Sequence, residues 1–553
     1  MGINWLEWDK KAFEKAKKEK KPVLLDLTAV WCHWCHVMDA TSYSDNEIID
    51  AINKDFVPVK VYIDKRPDIR ERYNMGGFPS TVFLDPDGRI IAGDTYVPAE
   101  RLKLFLEAVK KGCKSGKASN EKAVKMEEGV KKETMKINES IIKDILLLIE
   151  DNFDSLYGGF GVQPKFPAPE ALDLLFLQYQ KTQNKKYLDM ALKTLDGMHD
   201  GIFDKIDFGF FRYSATQDWK MPHYEKMLDT NAGLLRNYAV AYSITKNEKY
   251  KKIALETFDY VNKFLSDQEA GGFYGSQDAD EEFYHLSHEE RKNKKYPDVD
   301  RTIYVDWNAM MISSFIRAGA ILNDNKAAEF AIKTADFIIE RCCDKNGLWH
   351  FFDGKPNISG LLSDNVFFLN CLIDAHYMAQ NEKYLGKICK IAEFILDNFY
   401  DEKYHGFFDR IPREGDLGEL KSRNKHFLEN SFCAIVFLRL CFLTKEDKYK
   451  KAAEDALIHF AGNYLDYGHF ASMYAVAVDM LVSDEIKVDI VNRKDMLNLC
   501  LSSSNPRIVV NFMGKDDKKS GKGYEAEGAY VCRGNLCKGP IKDYEKLEQE
   551  LIG

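Results

Sequence analysis

Trp31-Cys32-His33-Trp34-Cys35-His36 lies between an apolar run, Val23 to Leu27, and a segment of helical composition, Val37 to Asn53. The order reads strand, turn, helix, which puts Cys32 at a helix N-terminus and Cys35 one turn further in. Unpaired N–H groups and the positive end of a helix dipole favour a thiolate there, and His33 adds a cationic group beside the same sulfur. On this reading Cys32 attacks, and Cys35 resolves by closing the disulfide. Two other readings stay open: a pair of ordinary buried cysteines, and a metal set in which Cys32, Cys35 and His36 share one helix face with His33 nearby.

Downstream, Val57 to Ile63 is a second apolar run, and Gly76-Gly77-Phe78-Pro79 leads into Ser80 to Leu84 before an Asp87-Gly88 turn. A proline at the head of a strand, in a chain that already has strand, Cys-x-x-Cys and helix, looks like the cis-proline loop of the thioredoxin fold. The Phe78–Pro79 bond is therefore predicted to be cis, with Pro79 shaping the partner groove. Residues 4 to 20 form an amphipathic helix on this reading, Arg89 to Ala92 a partner strand and Ala99 to Lys111 a closing helix. The first domain then spans 1–112, followed by a charged linker over 113–137.

From residue 138 glycine-aromatic stops recur at Gly158-Gly159-Phe160, Gly209-Phe210-Phe211, Gly271-Gly272-Phe273, Gly347-Leu348-Trp349, Gly406-Phe407-Phe408 and Gly468-His469-Phe470. Helical periodicity between them comes in pairs: 169–182 with 186–200, 226–243 with 248–266, 306–323 with 326–343, 363–380 with 383–399, and 427–445 with 448–464. One helix, 138–153, precedes the first stop, and another, about 471–482, follows the last. Twelve helices close into six hairpins if the last packs beside the first, which predicts an (α/α)6 toroid over 138–482 with the stops around one mouth. Residues 483–553 are a small α/β segment, with strands at Glu485 to Val491, Pro506 to Phe512 and Gly528 to Cys532.

At 553 residues the chain is too long for one core. It has 45% hydrophobic residues, a net charge of −9 and no apolar run approaching a membrane span; no signal peptide is read at its start. Neither a nucleic-acid nor a membrane partner is expected. Twelve scattered cysteines fit a reducing cytoplasm with a few special thiols.

The loop after the second stop gathers Arg212, Tyr213, Asp218, Trp219, His223 and Glu225. His223 and Glu225 make a general acid/base pair, Trp219 an aromatic platform for a sugar ring, and Arg212 an anion or hydroxyl clamp. Asp278 and Asp280 in the third loop, Trp307 and Asn308 opening one helix, Asp364 opening another and Lys165 beside the first stop complete a basin at the predicted rim. The alternative for these charged residues is mutual pairing that pins long loops. Cys532 and Cys537, with four residues between them, can bridge as a disulfide or share a metal and form a candidate relay partner for Cys32; the alternative is coincidence.

Several strings resemble the thioredoxin-domain proteins of the YyaL and spermatogenesis-associated family: Cys-His-Trp-Cys-His-Val-Met at 32–38, Arg-Pro-Asp at 66–68, Gly-Gly-Phe-Gly to Pro-Lys-Phe-Pro at 158–167, Phe-Phe-Arg-Tyr-Ser to Pro-His-Tyr-Glu-Lys-Met-Leu at 210–228, Ser-Gln-Asp-Ala-Asp at 276–280, Trp-Asn at 307–308 and the closing cysteine pair. The resemblance implies a thioredoxin-like domain joined to a toroid similar to that of N-acylglucosamine 2-epimerases and unsaturated glucuronyl hydrolases. The chain departs from the family in a shortened lead-in, a shortened stretch after Arg-Pro-Asp, and Gly-Phe-Pro-Ser where Gly-Trp-Pro-Leu is usual. The leading expectation is a thiol-disulfide oxidoreductase-like protein, served by a redox partner protein or small thiol, whose toroid binds a sugar-like molecule. The alternatives are a sugar isomerase or glycosidase in the toroid, and a non-catalytic scaffold. No cofactor or metal is assigned.

Overall fold

The computed structural model describes residues 2–114, 136–513, 524, 526–534 and 536–552. The linker read at 113–137 lies almost entirely outside them.

The N-terminal elements are α1 (Lys10–Glu19), β1 (Val23–Thr28), α2 (His33–Ala40), α3 (Asn46–Asp55), β2 (Val57–Tyr62), α4 (Pro67–Tyr73), β3 (Ser80–Leu84), β4 (Ile90–Asp94) and α5 (Ala99–Lys114). The strands form one sheet in the order β2-β1-β3-β4, with β1 parallel to β2 and antiparallel to β3. This is a thioredoxin-like arrangement, and every residue of β1 is buried. Two expected helices are shorter than read. Residues 4–8 run extended, with Leu6 bridging Val59, and α1 starts only where Asp9 caps it. The helix after the cysteines stops at Ala40, because the Asp45 carboxylate captures the N–H groups of Glu47 and Ile48 and starts a separate helix.

The toroid comprises α6 (Ser140–Asn152), α7 (Pro169–Thr182), α8 (Lys185–Gly201), α9 (Leu228–Thr245), α10 (Glu248–Phe264), two single turns α11 (Glu281–Tyr284) and α12 (His288–Arg291), α13 (Val305–Leu322), α14 (Asn325–Arg341), α15 (Leu362–Ala379), α16 (Glu382–Asn398), α17 (Phe427–Thr444), α18 (Asp447–Phe460) and α19 (Ser472–Val482). Helix α19 packs on both α6 and α7, which closes the ring of twelve long helices. The inner ring is α7, α9, α13, α15, α17 and α19. Helix α17 has 18 residues at mean hydropathy 1.6, longer and more apolar than the sequence reading allowed for; it is an inner-ring helix, two-thirds buried in the toroid.

Each stop turns the chain from an outer helix back to an inner one. Gly209 adopts φ +76°, and a Cβ there would lie 2.4 Å from the Tyr260 ring, so both backbone and space require glycine. An asparagine one turn into the following inner helix then grips the stop: Asn308 accepts from the Phe273 N–H at 2.7 Å and donates to the Phe273 and Tyr304 carbonyls. Asn231 holds Phe210 and Asn430 holds Phe407 in the same way, and Asn365 accepts from Leu348. Asn308 is therefore a structural pin and not a ligand-binding residue. Asn308→Ala strands a buried N–H and is expected to cost about 2 to 3 kcal/mol, measured by denaturant unfolding.

After the toroid come strands over 508–513, 486–491, 528–533 and 536–541, in that order across one sheet. The fourth strand was not foreseen. It pairs Cys537 opposite Cys532, and the two form a disulfide.

Candidate functional site

Cys32 is the N-cap of α2 and is disulfide-bonded to Cys35, with Cα atoms 5.2 Å apart. The Cys35 N–H donates to Cys32 Sγ at 3.2 Å, so the helix start solvates this sulfur. The Phe78–Pro79 bond is cis, and Phe78 packs against the cluster that contains Trp31, Cys32 and Cys35. Trp31 donates its indole N–H to Asp64 Oδ2 at 2.6 Å. On β1 beneath α2, burial pushes Asp26 up to about 6 against the pull of Lys60, 3.1 Å away; its Oδ1 has no partner.

The mouth of the toroid lies on this site. The Arg212 guanidinium stacks 4.3 Å from the Trp31 ring. Glu225 is 3% exposed, and its carboxyl lies near the backbone N–H of His33, the first residue of α2, which favours its charged form. Burial raises its pKa, Arg212 opposes, and its Oε2 is unpartnered. His223 lies near enough to His33 and Arg212 for their charges to act on it; burial first, then Arg212, lowers its pKa. His36 Nδ1 stands 3.8 Å from Asp278, while Met227 and Trp307 pack into the thioredoxin-like core. Both cysteines are almost covered, Cys32 at 4% and Cys35 at 2% exposure, and the toroid brings to their cluster both apolar residues, Met227 and Trp307, and, beside it, the polar Arg212 and Glu225. Beside them is a cleft of about 250 Å³ lined by Val30, Trp31, Ser276, Asp278 and Arg301. A stacked ladder leads away from it: His223 on Tyr213 at 4.1 Å, and Tyr213 on Phe166 at 4.3 Å.

Helix α4 seats the two domains together. Arg72 pairs with buried Asp409 at 2.8 Å, and the Tyr73 hydroxyl accepts from the Glu419 N–H. His350 crosses the seam, with Nε2 2.7 Å from the Asp64 carbonyl and Nδ1 2.9 Å from Asp364. Burial alone would depress this imidazole; the Asp364 carboxylate outweighs it and holds the pKa at about 9. Asp306 is pushed up to about 7 by burial and by Asp364. Asp306, His350 and Asp364 have the spacing of a metal set, but both imidazole nitrogens are already bonded, so the donor set does not fit an ion. Glu170, Asp229, Asp306, Asp364 and Glu429 lie in the first turns of five inner helices. Arg70 of α4 acts on Asp229, Asp306 and Glu429.

Of the residues read from sequence, the structure brings together Cys32, Cys35, His33, Arg212, His223, Glu225 and Asp278, with Tyr213 and Trp307 alongside and Asp364 at the seam. Others it places elsewhere. Lys165 is fully buried and clamps Asp154 and the Gly158 carbonyl, as Lys226 clamps Asp204 and Phe208 and Lys425 clamps Asp401 and His405. That recurrence makes it a structural clamp. Trp219 is fully buried, donates to the Tyr157 carbonyl and is wedged against Gly197 and Gly201, so it offers no platform. Asp218 pins its own turn through Thr216 and Lys220. Asp280 is exposed and caps α11. The C-terminal sheet packs on the far ends of the inner helices, where Ser504 bonds Gln180 and Phe512 bonds Gln380. An 18-residue helix spans about 27 Å, so the Cys532–Cys537 disulfide is no relay partner for Cys32. Sequence reasoning missed Asp26, Asp64 and His350; a lone acid inside the apolar run at 23–27 was the available signal for the first.

The family model Thioredox_DsbH, described as a protein of unknown function, DUF255, matches residues 1–133. The chain is 24% identical to an uncharacterized protein of Caenorhabditis elegans, across 99% of this chain and 94% of that one. It is 34% identical to spermatogenesis-associated protein 20 of Rattus norvegicus over half of this chain, which spans 39% of that relative's length. A crystal structure of D-mannose isomerase aligns with TM-score 0.50 at 12% identity, covering 62% of this chain and 96% of that one, a likeness of fold. The chain thus joins a thioredoxin-like domain carrying a Cys32–Cys35 pair to a helical toroid similar in fold to that D-mannose isomerase, as the sequence resemblance implied.

Proposed function

We propose that this chain is a thiol-disulfide oxidoreductase whose sulfur pair serves small molecules reaching it from the toroid's mouth. The observation that carries the reading is the seam itself: Arg212 of the toroid stacks on Trp31, and the buried toroid carboxyl of Glu225 lies beside the first N–H of the sulfur-bearing helix, so groups of both domains face one site. In the reduced protein the Cys32 thiolate attacks a small disulfide, forming a mixed disulfide and releasing one thiolate. Asp26 takes the Cys35 proton, Cys35 attacks Cys32 Sγ, and the second thiolate leaves as the Cys32–Cys35 disulfide closes. An external thiol then restores the dithiol. Eight cysteines remain free, which supports a reducing, cytoplasmic setting.

Iodoacetamide rates against pH test this. The wild-type thiol is expected to titrate below the ordinary cysteine value of about 8.5. Glu225→Gln removes a like charge competing for the same helix end and is expected to move the profile about one unit further to acid. An ordinary wild-type thiol refutes the reading, and an unmoved Glu225→Gln profile removes Glu225 from it.

A second reading, a sugar isomerase or glycosidase using His223 and Glu225, is favoured by the Phe166–Tyr213–His223 ladder, whose Phe166 face is 45% exposed. It requires turnover of a sugar that survives Cys32→Ser/Cys35→Ser and is lost in His223→Ala.

A further inference from the structure

Between the inner helices, beyond the acids of the first turns, lies a chamber of about 180 Å³ whose floor includes Ser504 and Pro506 of the C-terminal segment. Three arginines reach it: Arg236 from α9, Arg317 from α13 and Arg439 from α17. Two are engaged. Arg236 makes a two-pronged pair with Asp173, and Arg439 bonds Asp374 at 2.6 Å as well as Asn370. Arg317, half-buried between them, has no hydrogen bond or ion pair among the described residues. Asp173 and Asp374 are taken by Arg236 and Arg439, which leaves the Arg317 fork of donors facing the chamber without a direct partner among the described residues. Burial disfavours the Arg317 charge, Asp374 and Asp173 oppose it from a distance, and Arg236 and Arg439 add to the burial, so its five N–H donors are left to a ligand or to water.

We propose that Arg317 is the binding residue for an oxyanion, the carboxylate or phosphate group of a small polar molecule held in this chamber. A guanidinium offers a fork of donors matched to two oxygens of such a group. Ser313 and Asn370 line the same wall, and Glu170 and Asp229 at the upper end offer acceptors for hydroxyl or amino groups. The ligand chemistry is thus that of a sugar acid or sugar phosphate, anionic end down. The inference deepens the reading of the toroid as a polar small-molecule site and is independent of the sulfur chemistry, because it predicts binding that persists in Cys32→Ser.

Calorimetric titration of the full chain with D-glucuronate, inorganic phosphate and D-glucose tests it. Glucuronate or phosphate is expected to bind at least tenfold more tightly than glucose, the better of the two identifying the group. Arg317→Ala is expected to weaken that binding ~10- to 100-fold, with Arg317→Lys intermediate and circular dichroism confirming that both fold. If neither anion binds the wild type, or if both variants bind as the wild type does, the assignment to Arg317 falls. Glucose binding as tightly as glucuronate overturns the oxyanion site while leaving the toroid's role as a sugar binder intact, so the two failures are distinguishable.

Discussion

Cys32→Ser is expected to abolish reduction of a small disulfide such as cystine, a loss of about 10⁴-fold or more, because a serine hydroxyl cannot supply the anionic nucleophile at neutral pH. Cys35→Ser should instead stop one step later. It keeps the attacking sulfur but loses the group that expels the product, so one equivalent of mixed disulfide accumulates and is read by intact mass. Because Arg212 and Glu225 stand over the pair, the wild type should reduce cystine much faster than it reduces the disulfides of a folded protein. A Cys32→Ser variant that still turns over cystine, or a wild type that prefers the protein substrate, contradicts the arrangement proposed here.

His350→Ala is expected to destabilise the chain by about 3 to 5 kcal/mol, since it strands the buried Asp364 carboxylate beside Asp306 and removes the bond to the Asp64 carbonyl. The pH dependence identifies the cause. His350 is raised from an ordinary value of 6.5 to about 9, so its contribution is fully present below about 6.5 and is lost as pH rises through 9. The shift corresponds to about 3 kcal/mol. Asp306, raised to about 7, gives up its proton mostly below this window and lowers stability there. Urea midpoints between pH 7.5 and 9.5 should therefore fall for the wild type and stay nearly flat for His350→Ala. Parallel slopes would assign the dependence to other groups.

His350 was not read from sequence because nothing local marks it: it sits in a hairpin of the fourth stop, and its partners are Asp64, 286 residues earlier, and Asp364. The same limit explains the misplaced basin. Lys165, Trp219 and Asn308 have the right chemistry for a sugar site and stand beside the right loops, yet each is spent on holding a stop together. A residue list in a loop specifies which groups are near the rim but not which way they turn. The clamps at Lys165, Lys226 and Lys425 follow their stops at unequal distances, so no sequence period marks them, and they became legible only once their carbonyl partners were seen.

The amino-acid sequence by itself determined the strand-Cys-x-x-Cys-helix order, the proline turn and the twelve helices with their boundaries to within a few residues. These rest on local forces: hydrophobic periodicity, caps, and glycines that alone accept the stop conformation. Tertiary structure decided the rest: that the toroid's mouth lies on Cys32, that Glu225 turns toward the helix carrying that sulfur, that Cys532 lies at the other end, and that Arg317 is left unpaired. Those outcomes depend on burial and charge pairing between segments hundreds of residues apart, and such pairings are chosen by the packed whole and not by any one stretch of chain.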